Sequence, residues 1–214
     1  MSTGPTRSIA IPPGRLLPWV DNFHARHGDI TALVSDDVLR LTATDGAEAS
    51  IAVPFPPWTP SGDDPVADLV PHLAVPRRVG AVLVRKGGHA VGVFDGPRLV
   101  ASKVGSSYVQ GKTKAGGWSQ QRYARRRDNQ SKHAYDDAAE AVVKILLPPL
   151  ESLVAVATGG DKVALAAVFE DPRLDQLSGM LLPEVHPVPD PRLRVLQAFP
   201  DQFLALRIEL NHLA

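Results

Sequence analysis

The sequence predicts an α/β protein built on a mixed sheet, and three observations predict it. The C-terminal half alternates strand-like and helix-like stretches. Two tight hairpin signals, Lys86-Gly87-Gly88 and Asp95-Gly96, join three short apolar runs ahead of it. Five prolines between Pro54 and Pro65 separate all of this from an earlier helix-plus-strands stretch. The expected division is an N-terminal lobe over 1–75 and a main lobe over 76–214.

Taken in order, Leu16–His27 reads as a helix, because Leu16, Trp19, Val20 and Phe23 recur at helical spacing and Gly28 follows as a stop. Thr31–Val34, Val38–Thr44 and Ala49–Val53 read as strands, punctuated by Ser35-Asp36-Asp37 and Asp45-Gly46. The proline-rich run can be neither helix nor central strand and reads as a linker or surface loop. Gly80–Arg85, Ala90–Phe94 and Arg98–Lys103 form the meander. From Ser119 to Leu147 nothing breaks a helix, which allows a rod of up to about 29 residues, roughly 44 Å. Ala134, Ala138, Ala141, Val142, Ile145 and Leu146 stripe one face of its second half, and Pro148-Pro149 ends it. Leu153–Ala157 follows as a strand, Lys162–Phe169 as a helix, Met180–His186 as a strand, Pro191–Ala198 as a helix and Phe203–Leu210 as a closing strand.

Composition excludes several classes. At 214 residues, 44% hydrophobic and 21% charged, the chain is long enough for a substantial core. No run approaches the roughly 18–20 apolar residues of a membrane span, and the N-terminus lacks signal-peptide features. A cytoplasmic monomer with no membrane contact is expected. The absence of cysteine rules out disulfides, thiolate metal sites and Cys nucleophiles. Net charge is zero, but it is unevenly spread. Lys103–Lys132 holds eight Lys/Arg against Asp128 alone, leaving fifteen basic and twenty-two acidic residues elsewhere. An acidic body with one basic segment implies a local polyanion contact.

That segment leaves a strand through Gly105 and enters the long helix at Ser119, a plausible N-cap. The helix's first half is polar all round except for Tyr123, so it is expected to project, with glycines at the tip and arginines along the shaft. Its N-terminus adds partial positive charge. A flexible connector and a solvated Arg face are the plainer readings. The coincidence of glycines, paired glutamines, Trp118 and the Arg run favours a site. A phosphate-cradling P-loop fails on spacing. Its first glycine would fall at Ser106, and Ala115-Gly116-Gly117 follows Lys112-Thr113 where a helix should start.

Gly116-Gly117-Trp118-Ser119-Gln120-Gln121-Arg122, followed by Arg125-Arg126-Arg127, resembles the glycine–glutamine motif of the Vms-like release factors. These are relatives of the eukaryotic class I peptide release factor, and the compact Cys-free chain is similar to their bacterial branch. The resemblance implies a release-factor-like catalytic domain with a ribonuclease-H-like arrangement, a projecting basic helix and a small N-terminal lobe. It also implies hydrolysis of the ester between nascent peptide and tRNA on stalled large ribosomal subunits. Large-subunit RNA and peptidyl-tRNA are then the partners, with no cofactor and no metal. Aligning the motifs puts the critical amide at Gln120. Two departures stand out. Gly-Gly-Gln becomes Gly-Gly-Trp-Ser-Gln, and the zinc finger and ankyrin repeats of eukaryotic members are absent.

The residue types suit that reaction. A glutamine amide does not titrate, but its carbonyl can orient a water while its NH2 donates. Backbone N–H groups at a helix start, around Ser119 and Gln120, can hold an oxyanion. Gly116 and Gly117 let the backbone approach RNA where a Cβ would clash. Lys112, Lys114, Gln121, Arg122, Arg125, Arg126 and Arg127 are candidate RNA contacts, and Trp118 can stack on a base.

Other candidates read more plainly. His24-x-x-His27 has metal-ligand spacing without a third ligand. His72, His89, His133, His186 and His212 read as surface or capping residues. Asp136, Asp137 and Glu140 could serve a metal-dependent nuclease, although a solvated helix face is the simpler account. Thr158-Gly159-Gly160-Asp161 reads as a strand-to-helix turn with an Asp cap, and Trp19 and Phe23 as core. A non-catalytic binder of ribosomes or structured RNA and a ribonuclease remain as alternatives.

Overall fold

The computed structural model describes residues 7–106 and 119–214, and for 119–131 the backbone alone. The chain divides into two compact units, Met1–Pro76 with Leu204–Ala214, and Arg77–Phe203.

The first unit holds β1 (Arg7–Ile11), α1 (Leu16–His27), β2 (Ile30–Ser35), β3 (Val38–Ala43), β4 (Glu48–Ala52) and α2 (Pro65–Ala74). The C-terminal strand β10 (Leu206–Leu210) completes it. The sheet order is β1-β10-β4-β3-β2, antiparallel throughout. One face is buried, so the strands alternate. Leu39, Leu41 and Ala43 point inward from β3, and Leu206, Ile208 and Leu210 from β10. Leu16 and Phe23 of α1 and Val66 and Leu69 of α2 belong to the same core. Asp36 and Asp37 both take positive φ, 50° and 56°, as a two-residue hairpin between Ser35 and Val38 requires.

Three features depart from the sequence expectations. The closing strand, expected in the main lobe, lies between β1 and β4, with Ile208 opposite both Ile9 and Ile51. Strand β1 was not anticipated, and neither was α2 at the end of the proline-rich run. The α2 start is nevertheless orthodox: Asp64 accepts from the Val66 and Ala67 amides at 3.0 and 3.1 Å, and Pro65 needs no donor at the first helical position.

The second unit runs β5 (Arg78–Arg85), β6 (Gly88–Asp95), β7 (Arg98–Ser106), α3 (Ser119–Leu146), β8 (Ala155–Gly160), α4 (Lys162–Phe169), β9 (Leu181–His186), α5 (Leu193–Gln197) and α6 (Pro200–Phe203). A 3-10 stretch, Pro172–Met180, precedes β9. The order is β7-β6-β5-β8-β9. Because β6 is antiparallel to both neighbours while β5, β8 and β9 are parallel, β6 alone runs against the rest. This is the ribonuclease-H-like mixed sheet that the resemblance implied. Both faces are covered. Val91 and Val93 of β6 share one core with Ala138, Val142 and Leu146 of α3 and Leu165 of α4. On the other face Phe94 contacts Phe203 edge-on at 5.6 Å, and Phe203 contacts Phe199 at 5.3 Å. Full burial on two sides explains why β5 and β6 read as continuous apolar runs. Among the described residues no helix is long and apolar enough to cross a membrane.

Candidate functional site

Two elements frame the motif. β7 enters it, ending at Ser106, and α3 leaves it, opening at Ser119. Lys112, Lys114, Gly116, Gly117 and Trp118 lie outside the described residues. For Ser119, Gln120, Gln121, Arg122, Arg125, Arg126 and Arg127 the helical backbone is described and the side chains are not. Gln120 and Gln121 therefore sit in the first turn of α3, about 100° apart around its axis.

The 28 residues of α3 span about 42 Å. Its anchor is the expected apolar stripe: Ala138, Ala141, Val142 and Leu146 are fully buried, and Ala134 nearly so. Gly80 of β5 makes room for this helix, since a Cβ there would lie 3.1 Å from the Leu146 methyls. A side chain at Gly80 would require the Leu146 side chain to give way by a few tenths of an ångström.

At the root of the site the structure supplies a residue that the sequence reading placed at the surface or in a cap. His89 of β6 is 4% exposed and pairs across the ladder with Gly105 of β7. Its ring covers Gly105 so closely that a Cβ there would sit 2.6 Å from Nε2. Among the described residues neither ring nitrogen has a hydrogen-bond partner. Burial pushes the imidazole below its ordinary value of 6.5, the Asp137 carboxylate opposes this, and the Lys103 ammonium reinforces it. His89 is thus held neutral at pH 7. The signal was present in the strand's alternation, since 89, 91 and 93 share the face that α3 covers. His186, also expected at the surface or in a cap, is 6% exposed, with Nδ1 3.5 Å from Glu184 and its ring edge-on to Phe199.

The acidic residues further along α3 do not converge. Glu140 accepts from Arg173 at 3.0 Å, and Arg173 also donates to Asp171 at 2.8 Å. That pairing raises the guanidinium and holds the Asp171 carboxyl below the usual range. Asp136 lines an open cavity of about 590 Å³ beside Lys132, Tyr135 and Asp171. His24 and His27 contact Asp29 at 3.3 Å and Asp45 at 2.8 Å. Among the described residues no group of three or more His, Asp or Glu could hold a metal ion. Asp161 caps α4, accepting from Val163 and Ala164 at 2.9 and 3.1 Å, which is the turn expected there. Phe23 is a core residue as expected, whereas Trp19 is partly exposed and lines a surface cavity.

No curated protein sequence matches the chain. Among solved structures it resembles the crystal structure of archaeal translation termination factor, aRF1, with a TM-score of 0.46 and 17% identity over 92% of this chain and 66% of that one. A second, titled "Archaeal protein", gives 0.39 and 18% over 91% and 61%. The chain thus spans less than two thirds of the length of each of these two structures. The profile of the Actinobacteria/chloroflexi VLRF1 release factor family matches residues 77–209, which takes in all of β5 to β9 and α3 to α6. On that match over more than half its length, the chain belongs to the Actinobacteria/chloroflexi VLRF1 release factor family.

Proposed function

We propose that this release-factor family member is a peptidyl-tRNA hydrolase that frees nascent peptide on stalled large ribosomal subunits in the cytoplasm. The observation that carries the reading is the start of α3 at Ser119, directly after Gly116-Gly117-Trp118, which puts Gln120 in the helix's first turn. The Gln120 amide orients a water towards the ester carbonyl. Water adds there, the bond from carbonyl carbon to ribose oxygen breaks, and the departing oxygen takes a proton. Unpaired N–H groups in the first turn, from Ser119 onward, stabilise the oxyanion. Gly116 and Gly117 give the backbone access to the RNA. Lys112, Lys114, Gln121, Arg122, Arg125, Arg126 and Arg127 hold rRNA or tRNA phosphate, and Trp118 stacks on a base.

The interrupted motif, Gly-Gly-Trp-Ser-Gln in place of Gly-Gly-Gln, favours one second reading, a non-catalytic binder of ribosomes or structured RNA. The experiment is direct: incubate the purified protein with large subunits carrying labelled peptidyl-tRNA and follow free peptide. Release supports the hydrolase. Tight binding without release transfers the case to the binder.

A further inference from the structure

The first unit is acid-rich, with five arginines, no lysine and ten Asp/Glu in Met1–Pro76 and Leu204–Ala214. Two of those five arginines, Arg7 of β1 and Arg26 of α1, nevertheless converge on one surface cavity of about 210 Å³. Trp19, Asn22, Phe23 and His27 line it with them, beside Leu210 and Ala214, and no Asp or Glu side chain is among its described lining residues. Trp19 and Phe23 stack at 5.3 Å with 20° between ring planes, and Phe23 meets His27 at 4.8 Å. These rings stand at i, i+4 and i+8 along α1, so one helix face presents a column of three aromatics. Phe23 is buried, while Trp19 and His27 are only partly so. Asp45 accepts at 2.8 Å from the His27 Nδ1, which fixes that ring.

The geometry points to a binding site for one unpaired nucleotide of single-stranded RNA. The base stacks on the Trp19 side of the column, Arg7 and Arg26 hold the flanking phosphates, and the Asn22 amide reads a base edge. Size supports this assignment. Cofactor-sized pockets run to roughly 300–1,000 Å³, so this cavity suits a single ring system with its phosphate left in the open. So does charge, because cationic groups beside an aromatic surface are what a stacked, backbone-tracking nucleotide uses. In a unit where acids outnumber bases two to one, two arginines on a cavity lined by no Asp or Glu side chain favour an anion. The site lies outside the segment that bears the glycine–glutamine motif and does not depend on peptide release.

The test uses the full chain and a short oligouridylate containing 4-thiouridine. The basic segment Lys103–Lys132 would bind the same probe, so the readout must resolve the site. After irradiation and trypsin, which cuts at Arg15 and Arg26, crosslinks are expected in the peptide Leu16–Arg26. Trp19→Leu should lower that crosslink's apparent affinity roughly 5- to 150-fold, the range for one stacked base. Arg7→Glu with Arg26→Glu changes only exposed side chains, and because trypsin no longer cuts at 26 the crosslink is then read in Leu16–Arg40 by fragment sequencing. The double variant should abolish the salt-sensitive part, about 1.4 in the log–log slope for two phosphate contacts on a single strand. Thermal melts establish that each variant is folded, and the arginine pair decides the matter if Trp19→Leu is not. Crosslinks confined to other peptides, or both variants crosslinking at 16–26 like the parent, would overturn the assignment. So would displacement of the probe from this peptide by an acidic, phenylalanine-containing peptide that binds more tightly, which would make it a protein-docking site.

Discussion

Replacing His89 with leucine should stabilise the protein, although it alters a buried residue at the root of the candidate site. The imidazole is 4% exposed and neither of its nitrogens is hydrogen-bonded among the described residues. Leaving a buried polar group unsatisfied costs about 1–3 kcal/mol. A leucine of similar volume keeps the contact with Gly105 and the α3 face while removing that cost, so a gain of about 1–2 kcal/mol at pH 7 is expected. Acid should widen the difference. The folded-state pKa of His89 lies below its ordinary 6.5, so the unfolded chain binds this proton first. Wild-type stability from this group is complete above pH 6.5 and is lost as pH falls below it, by at most about 1.4 kcal/mol per pH unit. His89→Leu lacks that slope. Urea unfolding of both proteins at pH 7.5, 6.5 and 5.5 measures the difference. A variant destabilised by more than about 1 kcal/mol at pH 7.5 would refute the reasoning, as would an unchanged gap at pH 5.5. Either result would mean that the imidazole is satisfied in solution.

Three further outcomes are expected. Gln120→Ala should bind large subunits normally yet lose peptide release about a hundredfold, the order for a lost oxyanion-type donor, whereas Gln121→Ala, on another helix face, should retain it; equal and full activity in both would remove the hydrolase mechanism. Reversing Arg125, Arg126 and Arg127 to Glu should weaken ribosomal-RNA binding and flatten its salt dependence, each phosphate contact contributing roughly 0.9 to the log–log slope on duplex RNA-like targets; filter binding at several salt concentrations reads this. Leu146→Ala, at a fully buried position in the α3 anchor, should cost about 2–5 kcal/mol in urea unfolding, and a loss under 1 kcal/mol would mean the end of α3 is not held by the sheet.

How much was legible in the chain itself depends on how local each feature is. The extent of α3 could be read because an unbroken stretch, an apolar stripe and Pro148-Pro149 all lie within one segment. The hairpins at Lys86-Gly87-Gly88 and Asp95-Gly96 follow from turn chemistry alone, and α4 with its Asp161 cap from four consecutive residues. The motif at Gly116–Gln120 and the charge imbalance around it are properties of order and composition, so no coordinates were needed to find them. Non-local pairing was out of reach. β10 could be recognised as a strand, but its place between β1 and β4 rests on partners about 160 and 200 residues away, which periodicity does not encode. His89 looked like any scattered histidine until the sheet laid it over Gly105 beneath α3. Likewise Arg7, Trp19 and Arg26 belong to two elements, and only the packing of α1 beside β1 and β10 turns them into one cavity. Local patterns declare which backbone state a segment prefers. Burial, and the polar groups it leaves without partners, is decided only when distant segments close around it.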